Sequence, residues 1–167
     1  MDLDHFNAAP AAELRPELLA CCHVPAWADA VLGGRPYDGL DALVATADEA
    51  ARGLDRADVD RALARHPRIG ERAHGGDTGS RWSRQEQSGV DAEAAAALLE
   101  GNRAYEDRFG QVFLICATGL SAAQVLESLR SRLGNDDATE AAVVADELRK
   151  IALLRLRKVV DGAEVSA

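Results

Sequence analysis

Aromatic residues make up only 4% of the 167-residue sequence, whereas hydrophobic residues make up 47%. The hydrophobic content excludes a chain that is disordered throughout, and the scarcity of aromatics means that Ala, Leu and Val must supply most of the core. Such an alanine-rich core favours helices. The one strand-like run is Val112-Phe113-Leu114-Ile115-Cys116-Ala117. Because a lone strand cannot form a sheet, we expect this run to be an extended, buried connector.

Cysteine is also scarce, with Cys21, Cys22 and Cys116 as the only three. Their number is odd, they show no CxxC spacing, and adjacent cysteines pair only with strain, so we expect reduced thiols and a cytoplasmic protein. No stretch approaches the roughly 18 apolar residues of a membrane span, and the acidic N-terminus has no apolar signal region. We therefore expect a soluble protein that is not exported.

Basic residues are outnumbered, with 19 Lys and Arg against 28 Asp and Glu, which gives a formal net charge of −9. A chain with this charge repels nucleic acid and anionic membranes on average, so neither is an expected partner. A small anionic substrate would need a local cluster of arginines. The candidates for such a cluster are Arg68, Arg84 and Arg155.

The length fits a single domain over residues 1–167, and the apolar residues recur mostly at helical spacing. We predict an all-α fold, a single compact domain of about seven helices with the extended buried connector near residues 112–117. Pro10 and Pro16 can each sit in a first helical turn, and Pro25 can open a helix that passes through Val31. Further helices are expected over about Gly39–Arg52, from Asp55 to His66, from Ser83, from Asp91 to Gly110, from Ser121 to Leu133, and from Asp136–Thr139 to about Gly162.

Two short motifs suggest an acid–base site. His66 precedes Pro67, and a residue before proline is disfavoured in the α region, so the preceding helix should stop with the imidazole at its exposed end. Ser83 and Glu86 have the S-x-x-E spacing of a capping box, which predicts a helix start that can bind an anion. The polar, glycine-rich stretch over residues 70–82 predicts a mobile connection that could act as a lid.

Arg155 lies in phase with an apolar stripe on the last predicted helix, four residues from both Ile151 and Val159. A guanidinium on an apolar face is costly unless it meets an anion, so Arg155 is a candidate for substrate binding.

Each candidate residue also has a purely structural explanation. His66 could interact with a helix dipole, Glu86 could only cap its helix, and Arg155 could belong to an internal ion pair. His66 and His74 with Asp77 do not have a recognised metal-ligand spacing, and Cys116 fits a buried small hydrophobe better than a nucleophile. The glycine-rich segment lacks the lysine of a phosphate-binding loop.

The sequence resembles the 2-oxo-4-hydroxy-4-carboxy-5-ureidoimidazoline (OHCU) decarboxylases of urate breakdown over nearly its whole length. The matching residues are Cys21-Cys22, Trp27, Arg35-Pro36, His66-Pro67, Ser83, Glu86-Gln87, Asn102, Tyr105, Phe109-Gly110, Phe113, Arg132-Leu133 and Leu154-Arg155-Leu156. The resemblance implies an all-helical homodimer that converts the anionic substrate OHCU to (S)-allantoin with loss of carbon dioxide. It also implies that no metal or organic cofactor takes part.

The resemblance implies catalytic roles for His66, Glu86 and Arg155. It implies substrate contacts from Pro67, from Ser83, Arg84, Gln85, Glu86 and Gln87, and from the segment Phe113, Leu114, Ile115, Cys116 and Ala117. The chain departs from many family members at Arg68-Ile69, where they have Asp-Leu, and at Gln111-Val112, where they have Phe-Pro. These departures are typical of a bacterial branch.

Two other classes of function remain open at this point. A helical protein-interaction module would account for the helices and the charge, but not for an arginine in phase with an apolar stripe. A metal-dependent hydrolase of a small anionic substrate is the other alternative.

Overall fold

The computed structural model describes residues 1–69 and 92–161, and every regular element within them is a helix. The all-α prediction is therefore confirmed, with eight helices in the described residues against about seven predicted. They are α1 (Leu3–Ala8), α2 (Ala11–Cys22), α3 (Pro25–Gly33), α4 (Leu40–Arg52), α5 (Arg56–Leu63), α6 (Ala92–Phe109), α7 (Ala122–Arg132) and α8 (Asp137–Asp161).

Most helix boundaries coincide with the residues that predicted them. Pro25 is the first residue of α3, and Gly53 follows α4. Ser121 and Gln124 form a complete capping box at the start of α7. Gly110 ends α6 with a φ of 69°, a left-handed conformation that glycine adopts without a steric penalty.

Two boundary predictions are wrong. Pro16 lies inside α2, not in a first turn, so the helix has no amide hydrogen to donate at that position. Burial of Leu14 and Leu18 on the same helix offsets that loss. Helix α5 ends at Leu63, three residues before His66, because residues 64–65 already form a turn.

The helices group into two compact units. The first unit contains Met1–Ala62 and the part of α8 that starts at Leu148. Within it, α3 packs against both α2 and α4. Trp27 of α3 is buried, and its indole nitrogen donates a hydrogen bond of 2.9 Å to the Ala47 carbonyl of α4. The largest fully buried side chains of this unit include Phe6, Leu14, Leu18, Trp27 and Leu43.

Arg35 ties the first helices of this unit together. Its Nη1 donates to the carbonyls of Phe6 at 3.0 Å and Ala9 at 2.7 Å, and its Nε donates to the Leu32 carbonyl at 3.2 Å. These bonds satisfy carbonyls at the ends of α1 and α3, which have no partner within their own helices. One guanidinium thus fixes the chain on both sides of the break at Gly33-Gly34.

The second unit spans Leu63–Glu147, and α6 packs against α7 within it. Its core comprises Ile69, Leu98, Tyr105, Phe113, Ala117, Val125 and Leu129. Residues 137–147 of α8 belong to this unit, whereas the rest of that helix belongs to the first. The prediction of one domain over residues 1–167 stays a prediction.

All three cysteines are free thiols, as the sequence predicted. Among the described residues, no helix combines the length and apolar character needed to cross a membrane. The predicted glycine-rich connection and the helix start at Ser83 lie outside the described residues.

We predict that Arg35→Lys lowers the free energy of unfolding by about 1–3 kcal/mol, because an ammonium cannot reproduce the three hydrogen bonds of the guanidinium. The measurement is urea denaturation followed by circular dichroism. Arg52→Lys is the matched control, since Arg52 makes an exposed ion pair with Asp48 and should change stability by less than about 0.5 kcal/mol. Equal effects of the two substitutions would contradict this role of Arg35.

Candidate active site

The connector at residues 112–117 forms neither helix nor strand, and it is anchored by side chains from two helices of the second unit. Phe113, Leu114 and Ala117 are buried, as predicted for a buried connector. Ile115 and Cys116 are half-buried, so Cys116 is more accessible than the sequence suggested. A backbone without a helical ladder needs other hydrogen-bond partners wherever it is buried.

Arg132 at the end of α7 supplies one of these partners. Its Nη1 donates to the Leu114 carbonyl at 2.7 Å, and its guanidinium carbon lies 4.5 Å from the centre of the Phe113 ring. This distance places the cation in favourable contact with the aromatic side chain. Arg132 therefore holds the connector at two points, the backbone of Leu114 and the side chain of Phe113.

The buried charge of Arg132 is balanced by Glu140 near the start of α8. The Nε and Nη2 atoms of Arg132 lie 2.8 and 2.6 Å from Glu140 Oε1, and both side chains are almost fully buried. Tyr105 donates its hydroxyl to the same carboxylate oxygen, and Asn135 Nδ2 donates to Oε2 at 2.8 Å. Burial raises the pKa of Tyr105 to about 12, and the bond to Glu140 acts in the same direction, so this hydroxyl remains a donor at neutral pH.

Glu147 of α8 supplies the second anchor of the connector. The backbone nitrogen of Cys116 donates a hydrogen bond of 2.7 Å to Glu147 Oε2. A bond from a backbone N–H to a carboxylate is charge-assisted and stronger than a neutral one. The predicted substrate-contact segment is thus fixed at residues 114 and 116 by side chains of opposite charge.

His66 and Pro67 follow the end of α5 and are both half-buried. The backbone nitrogen of His66 donates to the Leu63 carbonyl at 2.9 Å, and this hydrogen bond closes the turn after the helix. His66 is therefore not at the end of a helix but in an irregular segment of the second unit. Arg68 forms an ion pair with Glu106, and this pairing is a structural role that the sequence did not predict.

Arg155 lies on α8 in the first unit and is only 4% exposed. Its neighbours on the predicted apolar stripe, Ile151 and Val159, are buried as well. Its Nη1 lies 3.4 Å from the Ala20 carbonyl, one of the last carbonyls of α2. Helix carbonyls near a C-terminus carry partial negative charge, so α2 presents a favourable environment to this guanidinium.

The remaining predicted residues lie outside the described part of the chain. They are Ser83, Arg84, Gln85, Glu86 and Gln87, together with His74 and Asp77 of the rejected metal site. Within the described ranges 1–69 and 92–161, no group of three His, Cys, Asp or Glu side chains is arranged to hold a metal ion.

The family resemblance included Arg132 and Asn102 without giving either a role, and sequence reasoning missed Glu140 and Glu147 altogether. The sequence contains a signal for the buried position of Arg132, because Arg132 follows Val125 and Leu129 at helical spacing on the buried face of α7. No comparable signal indicated that Glu140, eight residues further on, is its partner.

The class of protein defined by this fold is an all-helical protein whose described candidate residues lie partly in irregular segments, around His66 and residues 112–117, and partly on a helix, at Arg155. Residues 7–157 match the profile of the OHCU decarboxylase family. The chain is 33% identical over 141 residues to 2-oxo-4-hydroxy-4-carboxy-5-ureidoimidazoline decarboxylase of Amia calva, a match that covers 81% of each sequence. It is 30% identical over 148 residues to the uric acid degradation bifunctional protein of Arabidopsis thaliana, covering 85% of this chain and 46% of that protein.

A comparison with solved structures indicates the same family. A crystal structure of OHCU decarboxylase in the presence of (S)-allantoin matches with a TM-score of 0.72 and 28% identity, covering 87% of this chain and 98% of the other. The chain belongs to the OHCU decarboxylase family.

We predict that Glu140→Gln lowers the free energy of unfolding by about 3–5 kcal/mol, because it leaves the Arg132 guanidinium buried without a counter-charge. Urea denaturation measures the change. Asp60→Asn serves as the control: Asp60 pairs with Arg56 at the surface, where an ion pair contributes about 0–1 kcal/mol. A Glu140→Gln protein as stable as the control would show that this ion pair is not required.

The buried Cys22 thiol should report on the surroundings of Arg155. Burial raises the pKa of Cys22 from 9.0 to about 12, with Asp58 adding to the shift and Arg155 opposing it. Because only the thiolate reacts, we predict that iodoacetamide at pH 8 modifies Cys22 at least about 100-fold more slowly in the native protein than in urea. Peptide mass spectrometry measures both rates, and rates within tenfold of each other would contradict the burial.

Proposed function

We propose that this protein is a carboxy-lyase that decarboxylates 2-oxo-4-hydroxy-4-carboxy-5-ureidoimidazoline to (S)-allantoin in urate breakdown. The observation that carries the proposal is the family match over residues 7–157, which includes His66, Glu86 and Arg155. The relatives are named for this reaction or for uric acid degradation.

The chemistry of the decarboxylation explains why a few residues can catalyse it. Loss of carbon dioxide leaves an electron pair on a ring carbon, and the conjugated ring of the substrate can accept it. The protein must then orient the carboxylate, stabilise the developing charge and deliver a proton to one face of the ring. Delivery to one face yields a single enantiomer, whereas protonation in water yields both.

In our proposal, Arg155 binds an anionic oxygen of the substrate. Its guanidinium fork suits a carboxylate, and at 4% exposure its charge is little screened by water. The apolar stripe around it limits the positions that the guanidinium can adopt. This combination supports a role for Arg155 in orienting the carboxylate that leaves.

His66 serves as a proton donor and polarises the reacting region of the substrate. Glu86 hydrogen-bonds the ring and shares in proton transfer. Proton transfer by a positioned side chain typically contributes about 10²–10⁴ in rate.

Substrate contacts come from Pro67, from Ser83, Arg84, Gln85, Glu86 and Gln87, and from Phe113 to Ala117. The double anchoring of the connector supports the last of these, because Leu114 and Cys116 are held through their backbones. A segment fixed in this way can present its remaining N–H and C=O groups to a polar ring at constant geometry. Its half-buried residues, Ile115 and Cys116, are the ones that remain partly accessible.

We further propose that the reaction needs no metal or organic cofactor, that the protein is a homodimer and that it works in the cytoplasm. The family resemblance supports the first two, and the three free thiols support the third. Assignment to a bacterial branch also stays a prediction.

We predict that His66→Asn and Glu86→Ala each lower kcat by at least about 10²-fold while the protein stays folded, because each variant loses a group that transfers or directs the proton. The unstable substrate is generated from urate in the cuvette by the two preceding enzymatic steps. Circular dichroism then follows formation of (S)-allantoin. A strong chelator should leave the rate unchanged.

His5→Asn is the matched control, since His5 is an exposed residue of α1. Its rate should equal that of the unmodified protein. Near-normal turnover by a folded His66→Asn protein would remove His66 from the mechanism. Formation of racemic allantoin at the uncatalysed rate by the unmodified protein would end the proposed function itself.

A further inference from the structure

The segment that carries His66 has no regular secondary structure of its own. Residues 66–68 are neither helix nor strand, and the next residue, Ile69, is buried in the core of the second unit. The position of the imidazole therefore depends in part on the contacts that hold residues 67–69. Among the described residues, two of these contacts come from one face of α6.

Two polar residues on α6, one helical turn apart, contact this segment. Asn102 is only 1% exposed, and its Nδ2 donates a hydrogen bond of 2.9 Å to the Ile69 carbonyl. Glu106, four residues later, forms an ion pair with Arg68, with Arg68 Nη2 at 2.9 Å from Glu106 Oε2. The hydrogen bond from Arg68 lowers the pKa of Glu106, which keeps the carboxylate ionised.

Asn102 is not explained by core packing alone. Its Oδ1 is buried without a hydrogen-bond partner in the described structure, and an unpaired buried acceptor costs free energy. An aliphatic side chain at this position would avoid that cost. What an aliphatic residue could not do is donate to the Ile69 carbonyl.

The backbone between the anchors and His66 has little freedom. Proline fixes φ of residue 67 within a narrow range, and the residue before proline is largely confined to extended conformations. Fixing Arg68 and Ile69 on α6 therefore also restricts the orientation of His66. On the N-terminal side of the segment, the hydrogen bond from the backbone nitrogen of His66 to the Leu63 carbonyl fixes the chain.

We propose that Asn102 and Glu106 are positioning residues for His66, with Asn102 as the principal anchor and Glu106 as the weaker, partly exposed one. This inference rests on the proposed function of His66. Glu106 can act in this way because residue 68 is an arginine. With the aspartate that many family members have there, the two carboxylates would repel each other.

The test compares Asn102→Leu, which keeps the approximate size of the side chain but removes the donor, with Leu129→Ala. Leu129 is buried in the core cluster that contains Ile69, but it belongs to α7 and is not one of the two anchors, so it controls for loss of stability. We expect Asn102→Leu to lower kcat about ten- to a hundredfold with KM within about twofold, because the displaced group transfers a proton and does not set affinity. Leu129→Ala should keep kcat within about twofold at a temperature where both variants are folded.

A second readout does not depend on activity. The His66 imidazole resonances, identified by their loss in His66→Asn, should shift or broaden in Asn102→Leu and stay unchanged in Leu129→Ala. Unchanged His66 resonances in Asn102→Leu, or an equal loss of kcat in both variants, would overturn the proposal. If the unmodified protein does not turn over OHCU, the proposed function fails, while the resonances still decide whether Asn102 positions His66.

Charge reversal at Arg68 and Glu106 tests the weaker anchor. This test remains available if the Asn102→Leu protein does not fold. Arg68→Glu should lower kcat several-fold and shift the His66 resonances. Combining Arg68→Glu with Glu106→Arg should restore both. A double variant no better than Arg68→Glu alone would show that the Arg68–Glu106 pair does not position His66.

Discussion

The ion pair between Arg132 and Glu140 is the interaction on which the order of the second unit depends. Both side chains are buried, so each charge is tolerable only because the other is present. Tyr105 and Asn135 add hydrogen bonds to the same carboxylate, and Arg132 has a further donor for the Leu114 carbonyl. Helices α6, α7 and α8 are thereby joined to a segment that has no secondary structure of its own.

The two described catalytic candidates are held in different ways. Arg155 belongs to a regular helix and is confined by its apolar neighbours and by the Ala20 carbonyl. His66 belongs to an irregular segment, in which side chains of α6 contact Arg68 and the Ile69 carbonyl. Under the roles that we propose, Arg155 needs mainly a low-dielectric environment, whereas His66 needs an accurate distance and direction, which agrees with the additional contacts at residues 68 and 69.

Much of the fold could be predicted because its signals are local. The capping box at Ser121 and the stops at Gly53 and Gly110 need only a few neighbouring residues to act. Pro16 shows the limit, since burial of its helix outweighed a local preference for the first turn. The buried position of Arg155 followed from helical periodicity alone. The partnership of Arg132 with Glu140, and of Asn102 with the Ile69 carbonyl, could not be predicted because it depends on how separate helices pack.

Three anchors of the irregular segments bind main-chain atoms, namely the carbonyls of Ile69 and Leu114 and the nitrogen of Cys116. A hydrogen bond to the main chain does not depend on which side chain the anchored residue carries. A different side chain at one of these three positions therefore leaves the anchoring hydrogen bond available, as long as it fits the buried sites of Ile69 and Leu114. Replacement of Asn102, Arg132 or Glu147, in contrast, removes the donor or acceptor on which the path of the irregular segment depends.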